Sequence, residues 1–200
     1  MNNRINIFIL TLFEIAAFSG CTTALAPVQD NIIQKDYQQA PAWVFKGCSN
    51  YWNKAQAEKL ICGVGAAEGI KNPNTARQIA IGRARADLAK KMRTTVISIL
   101  KDYQAVTTVQ GVSGTDALDE QHIEIVTKEI TDMNFSGTEI VDSWMSDSGT
   151  YYVLVVLYAE RFKENVQKMD SLSVPLKNTI REQADEAFEE LDRSIQAGMK

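Results

Sequence analysis

Residues 151–159 of this 200-residue chain, YYVLVVLYA, run for nine positions without a charge. Side chains of a strand point alternately to its two faces, so a strand that is apolar throughout must be covered on both. The β-branched and aromatic content favours a strand over a helix, and the run is too short to span a bilayer. It therefore belongs at the centre of a sheet, or else its second face is closed by another subunit. Just before it, Asp147-Ser148-Gly149 is a hairpin turn, and residues 135–146 alternate. That alternation predicts Phe135, Val141, Ser143 and Met145 on one side, with Ile140, Asp142 and Trp144 on the other.

The cover has to come from helices. Residues 75–103 place Ile81, Ala84, Leu88, Met92, Val96, Ile99 and Tyr103 at steps of three and four, a helical period. Its first half is crowded with Ala76, Ala80, Gly82, Ala84, Ala86 and Ala89, small enough for another backbone to approach closely. A second helix over 117–133, capped by Thr115 or Asp116, turns Ile123, Val126, Ile130 and Met133 inward. Residues 104–116 between them read as a weakly alternating strand or arm that ends in a loop. Phe162, Val166 and Met169 continue as a short helix. A last helix begins at Ser173 and Pro175, with Leu176, Ile180, Ala184, Ala187, Phe188, Leu191 and Ile195 forming a stripe. It either packs on the domain or pairs with a second copy.

Upstream, Pro41 favours an extended approach to Trp43, Val44 and Phe45, and Leu60 to Val64 form another strand. Gly63, Gly65 and Gly69 let that strand bend or be approached by a neighbour. GVGAAEG is not a phosphate loop: the G-x-G-x-x-G spacing is absent and the next helix starts too late to hold a phosphate. The fold class is α+β: a small three- or four-stranded mixed or antiparallel sheet packed by a long central helix and a second helix, with an extra C-terminal amphipathic helix.

Charge is distributed unevenly. Residues 75–101 hold seven bases to one acid, Asp87, whereas 116–147 hold nine acids to one base, Lys128. This describes either two solvated faces or complementary surfaces that meet in an oligomer, where charge fixes register more than affinity. The net charge of −4 is too close to neutral to imply a nucleic-acid partner. One histidine and three cysteines leave little material for a metal site, and no cofactor is expected. His122 has no second histidine or cysteine at ligand spacing and reads as a surface or boundary residue.

The N-terminus has the layout of a secretory signal: Arg4, an apolar run from Ile5 to Phe18, then Ser19 and Gly20 before Cys21. Glu14 is out of character there, since a charge near the centre of an apolar helix costs on the order of 3 kcal/mol on insertion. FSGC (18–21) resembles a lipobox, which implies that Cys21 is lipidated and becomes the first mature residue. Thr22 behind it resembles the outer-membrane class of lipoproteins. Several acyl chains on Cys21 would give stable attachment where one alone is marginal. With Cys21 used, Cys48 and Cys62 remain in an oxidising compartment, and a disulfide between them would close a loop worth roughly 3 kcal/mol. The alternative is two buried thiols; their spacing excludes a catalytic C-x-x-C pair.

In order along the chain come this lipobox, P-x-W-V (Pro41, Trp43, Val44), C-G-V-G-x-A (Cys62 to Ala67), ARADLA (Ala84–Ala89) and V-S-G-T (Val112–Thr115). Together they resemble the LPP-twenty family of bacterial lipoproteins over about 40–160, a family that includes flagellum-associated members. The resemblance implies a small α+β domain, outer-membrane attachment and no enzymatic activity, with no catalytic residues to carry over. The expected organisation is a signal peptide at 1–20, a lipidated tether at 21–39, the α+β domain at 40–170 and the amphipathic helix at 171–200. Expected partners are outer-membrane lipid through acylated Cys21, and either further copies of the chain or envelope and flagellar proteins, with the domain on the periplasmic side. A rival reading is a periplasmic module that binds a ligand or envelope polymer on Trp43, Trp52 and Trp144, which requires three rings converging on one groove. A hydrolase using Glu120 and Glu124 stands third, because no nucleophile–base pair accompanies those carboxylates.

Overall fold

The computed structural model describes residues 28–47, 59–109 and 118–197. The apolar run forms strand β3, Tyr151–Tyr158, and lies at the centre of a three-stranded antiparallel sheet. It is flanked by β1, Leu60–Ala67, and by β2, Glu139–Met145. Its alternation is used in full. Val153, Val155 and Leu157 enter the main core on one face, while Leu154 and Val156 enter a second, smaller cluster on the other. No second subunit is needed to cover it.

Helix α3, Pro73–Val109, crosses the main-core face. Asn72 starts it, its side-chain oxygen accepting from the backbone N–H of Asn74 at 2.9 Å and Thr75 at 3.2 Å. Ala84, Leu88, Met92, Val96, Ile99 and Tyr103 are buried as their spacing requires, but the N-terminal end of the stripe runs through Ala76 and Ala80, and Ile81 is only half-buried. Gly63 and Gly65 of β1 lie directly beneath that end. A Cβ on Gly63 would overlap the Ala84 carbonyl and stand 2.6 Å from the Leu88 nitrogen; one on Gly65 would overlap Ala80 and Ala84 backbone. Strand glycines and helix alanines thus bring two backbones together, as the small residues of both segments lead one to expect. The helix also runs to Val109 where a strand or arm was expected, because Tyr103 and Thr107 still face the core and Thr107 returns its hydroxyl to the Tyr103 carbonyl at 3.0 Å.

The exposed edge of β1 is closed by the polar face of α3. The carboxylate of Asp87 accepts from the Val64 N–H at 3.0 Å and from Lys91 Nζ at 2.7 Å. Lys91 also donates to the Cys62 carbonyl at 3.1 Å, and Arg83 to the Ala66 carbonyl at 2.6 Å. Backbone groups that would otherwise recruit another strand are occupied. The lone acid of the basic helix has this task.

Helix α4, Glu120–Phe135, starts later than predicted and is capped by Asp119, which accepts from the His122 N–H at 2.8 Å. Its inward face is Ile123, Thr127, Ile130 and Asn134; Val126 is half-buried and Met133 exposed. Strand β2 departs from strict alternation. The register shifts between Ile140 and Asp142, so Ile140 stands opposite Val155, while Val141 joins Trp144 on the small-cluster face. The Asp147-Ser148-Gly149 turn forms, with the Gly149 N–H donating to the Ser146 carbonyl at 2.9 Å and Gly149 at φ 88°.

Helix α5, Ala159–Gln167, follows β3 without a loop, and α6, Val174–Ala197, packs back on the domain. Leu176, Ile180, Ala184 and Phe188 are buried in the main core, with the Phe188 ring centroid 5.2 Å from that of Phe162. Of the two destinations open to this stripe, the chain uses its own core. Lys163 ties the two helices together, donating to Asp185 at 2.7 Å and Glu160 at 2.9 Å. Burial opposes its charge, but the hydrogen bonds it donates to those two carboxylates, and their attraction, outweigh it and hold the ammonium above the ordinary lysine range.

Two N-terminal pieces also differ from expectation. Helix α1, Val28–Gln39, occupies more of the tether than the short ordered piece at Ile32–Tyr37, and α2, Ala42–Lys46, replaces an extended run. Pro41 itself is extended at ψ 142° and accepts from the Val44 N–H, so the proline launches a single helical turn.

Candidate functional site: the lid and cleft over the small face

The small-cluster face of the sheet, formed by Leu60, Cys62, Leu154 and Val156, is closed by Trp43 of α2. Trp43 is 4% exposed, and its indole N–H donates to Asp142 Oδ2 at 2.7 Å. The same carboxylate turns its other oxygen onto the Ser143 N–H at 2.8 Å. One acid therefore satisfies the buried indole and occupies a backbone donor of edge strand β2.

Beside this lid, α1 reaches over to the β2–β3 turn. Asp36 accepts from the N–H groups of Asp147 at 2.8 Å and Ser148 at 3.2 Å, and Lys35 pairs with Asp147 at 2.5 Å. The Ser148 hydroxyl and the turn amides hold the Asp36 carboxyl below the usual carboxylate range, against a smaller opposing effect of desolvation. Lys35 is shifted up by its hydrogen bond and attraction to Asp147. Tyr37 stacks on Phe45 of α2 with ring centroids 4.2 Å apart, and Trp144 stacks on Tyr152 at 5.4 Å. Between the two ring pairs lies an open cleft of about 300 Å³, with Ile33, Glu68 and Arg83 on its walls. Burial, then the carboxylates of Asp36 and Glu68, raise the Tyr152 hydroxyl above its ordinary pKa.

A larger trough of about 490 Å³ runs between α3 and α4, lined by Ile97, Lys101, Glu120, Ile123 and Glu124. Glu124, one of the two carboxylates weighed for hydrolysis, pairs with Arg93 at 3.0 Å, and both side chains are largely exposed. This pair joins the basic helix to the acidic one within a single molecule, so their opposed charges meet without a second copy. His122 is exposed, with Nδ1 2.9 Å from Asp119. Among the described residues no group of three or more His, Cys, Asp or Glu is placed to hold a metal, and no helix is long and apolar enough to cross a membrane.

Of the positions singled out in the sequence, Cys21, Cys48 and Trp52 lie outside the described residues, as does V-S-G-T at 112–115. Cys62 is buried on the small face of β1. Trp43 and Trp144 share the small cluster, but Trp43 is spent on closing it and offers no ring to a groove. The roles that Asp36, Tyr37, Phe45 and Asp142 take here had no local signal. Their partners lie far away in the chain; Asp36 grips residues more than a hundred positions on.

The chain matches the LPP20 lipoprotein family over residues 41–158. It belongs to that family. The matched span opens at the proline that launches the lid and closes at the last residue of β3, so it holds the whole sheet, the lid, α3 and α4. The motifs acquire physical roles: P-x-W-V is the lid, C-G-V-G-x-A the strand under α3, and ARADLA the turn that meets those glycines and seals the strand's edge. No curated protein matches the chain. LPP20 proteins are non-enzymatic lipoproteins anchored to the outer membrane with a periplasmic domain, and so is this one.

Proposed function

We propose that this LPP20 protein is a structural component of an envelope assembly, held to the outer membrane through acylated Cys21. The observation that carries the reading is that several chemically capable side chains among the described residues are engaged in the domain's own architecture. Asp87 and Lys91 close β1, Asp142 serves the lid, Asp36 grips the turn, and Glu124 pairs with Arg93. What is left outward includes apolar surface suited to contact with other molecules: Phe135 and Ile140 on either side of the α4–β2 turn, and Met145 at the far end of β2. Arg85 of α3 reaches over one of them, its guanidinium 5.6 Å from the Phe135 ring, yet Phe135 stays 41% exposed. Self-association, or a seat in a flagellar or other envelope assembly, would use this side.

A disulfide between Cys48 and Cys62 fits the same picture of a rigid part. Supporting it, Cys62 is buried on the small face, and its sulfur lies 4.0 Å from where a Cβ on Gly47 would stand, one residue before Cys48. Mass spectrometry of the oxidised exported protein should find a cross-linked 48–62 peptide, and alkylatable thiols at both positions would reject the pairing. The anchor is tested by Cys21→Ser, which should abolish fatty-acid labelling and move the protein into the soluble fraction. Unchanged partitioning with the membrane would defeat the assignment.

A further inference from the structure

We infer that the face formed by Ile33, Tyr37 and Phe45 is a membrane-contact surface, seated in the interface of the same bilayer that receives the lipid on Cys21. The inference rests on acylation of Cys21 and goes beyond it by giving the domain a fixed orientation.

Three observations lead there. The first is reach: seven peptide units separate Cys21 from Val28, the start of α1, so the helix can begin no more than about 25 Å from the anchored residue. The second is exposure without a protein partner. Ile33 is 58% exposed, Tyr37 65% and Phe45 40%, apolar surface on the two helices that come first after Cys21 among the described elements. Ile33 and Tyr37 are four residues apart and share one helix face, and the Tyr37–Phe45 stack extends that face onto α2. The third is chemistry. An aliphatic residue, a phenylalanine and a tyrosine form the kind of set that lies at the headgroup level, with ring bodies in the acyl boundary and the hydroxyl in water. Lys35 projects from the opposite side of α1 and Asp36 from the margin of the apolar face, and together they hold the helix to the β2–β3 turn, leaving Ile33 and Tyr37 exposed at the rim of the cleft. A single acyl chain is a weak anchor and several are a strong one, but neither sets the tilt of the attached domain. A second contact does.

The test uses full-length, acylated protein on vesicles of phosphatidylethanolamine with a minority of phosphatidylglycerol, against the Cys21→Ser protein in solution. Amide exchange followed by mass spectrometry should slow by about tenfold over residues 33–46 in the vesicle-bound chain. The acylated triple variant Ile33→Ser/Tyr37→Ser/Phe45→Ser should lose this slowing while keeping its lipid and its core protection. As a second readout, Tyr37→Trp should give fluorescence that lipids brominated near the headgroup quench beyond the wild-type background. Acylated protein that exchanges over 33–46 as the soluble form does overturns the inference and leaves the anchor standing. Slowing that appears in the Cys21→Ser protein at high concentration identifies a second copy as the occupant and also overturns it. A chain whose Cys21 bears no acyl group overturns both readings together.

Discussion

Gly63 and Gly82 show how far the meaning of a residue depends on what lies across from it. Both are glycines in regular structure, one under α3 and one in it. A methyl group on Gly63 would run into the Ala84 and Leu88 backbone, whereas one on Gly82 meets nothing within 4 Å. Gly63→Ala, and Gly65→Ala for the same reason, should therefore destabilise the fold by about 3 kcal/mol through forced separation of helix and strand. Gly82→Ala should stabilise it by about 0.5–1 kcal/mol by removing unfolded-state freedom in a helix interior. Urea melts of the three variants check the contrast, and a neutral result at Gly63 would contradict the close approach. The sequence displays the small residues of both segments, so the approach was legible; which alanines face which glycines was not, since the stripe drifts from Ile81 to Ala80 and Ala76. Asp87 is the harder case. A single acid among seven bases reads as a surface charge until the Val64 amide is seen beside it.

At the scale of elements, the best-read segments were those whose burial follows from their own periodicity: β1, β3, α6 and most of α3. α6 was ambiguous only in its destination. Because Phe188 is fully buried against Phe162, Phe188→Ala should cost about 4 kcal/mol and lower the melting midpoint of the whole domain in one transition. A separate early transition would mean that α6 is an appendage. The elements read poorly were those set by distant partners. The register shift in β2 exchanges the faces of Ile140 and Val141, and a polar Asn134 on the inner face of α4 is satisfied by donating to the Ile130 carbonyl at 2.9 Å and by accepting from the distant Asn165 at 3.0 Å. α1 belongs to the same class, being held at the turn by charge and backbone amides. The Asp36 carboxyl is lowered when docked, so its contribution is complete above the ordinary carboxylate range of about 4 and fades as pH falls through the lowered value. The groups facing it are Ser146, Ser148 and the Asp147 amide, with Lys35 alongside. Limited proteolysis near Gln38–Pro41 should accelerate on acidification toward about pH 3, while the core stays resistant. Asp36→Ala should show the faster cleavage at every pH, and a rate independent of pH in the wild type would remove Asp36 from this role.

For the whole molecule, the family resemblance, the α+β class and the small central sheet were all visible in the sequence, because they follow from motif order and from one strand that demands two covers. The quaternary state was not. Opposed charges on α3 and α4 read either as two solvated faces or as surfaces meeting between molecules, and Arg93 and Glu124 meet within one chain. If the chain self-associates through the apolar residues around β2, light scattering of the Cys21→Ser protein should report more than one chain per particle, and Ile140→Ser/Met145→Ser should return it to monomer. A wild-type monomer across micromolar concentrations would remove self-association from the proposed function.

The guarded flanks of the sheet have a bearing on life at high surface density. Lipid-anchored molecules diffuse in two dimensions, where collisions are frequent and open strands would zip neighbours into aggregates. With Asp87, Lys91 and Arg83 on one flank and Asp142 on the other, that route is obstructed. Any array built from this unit must then be joined by side-chain surfaces, which are readily reversible, and it can be dismantled without unfolding its parts.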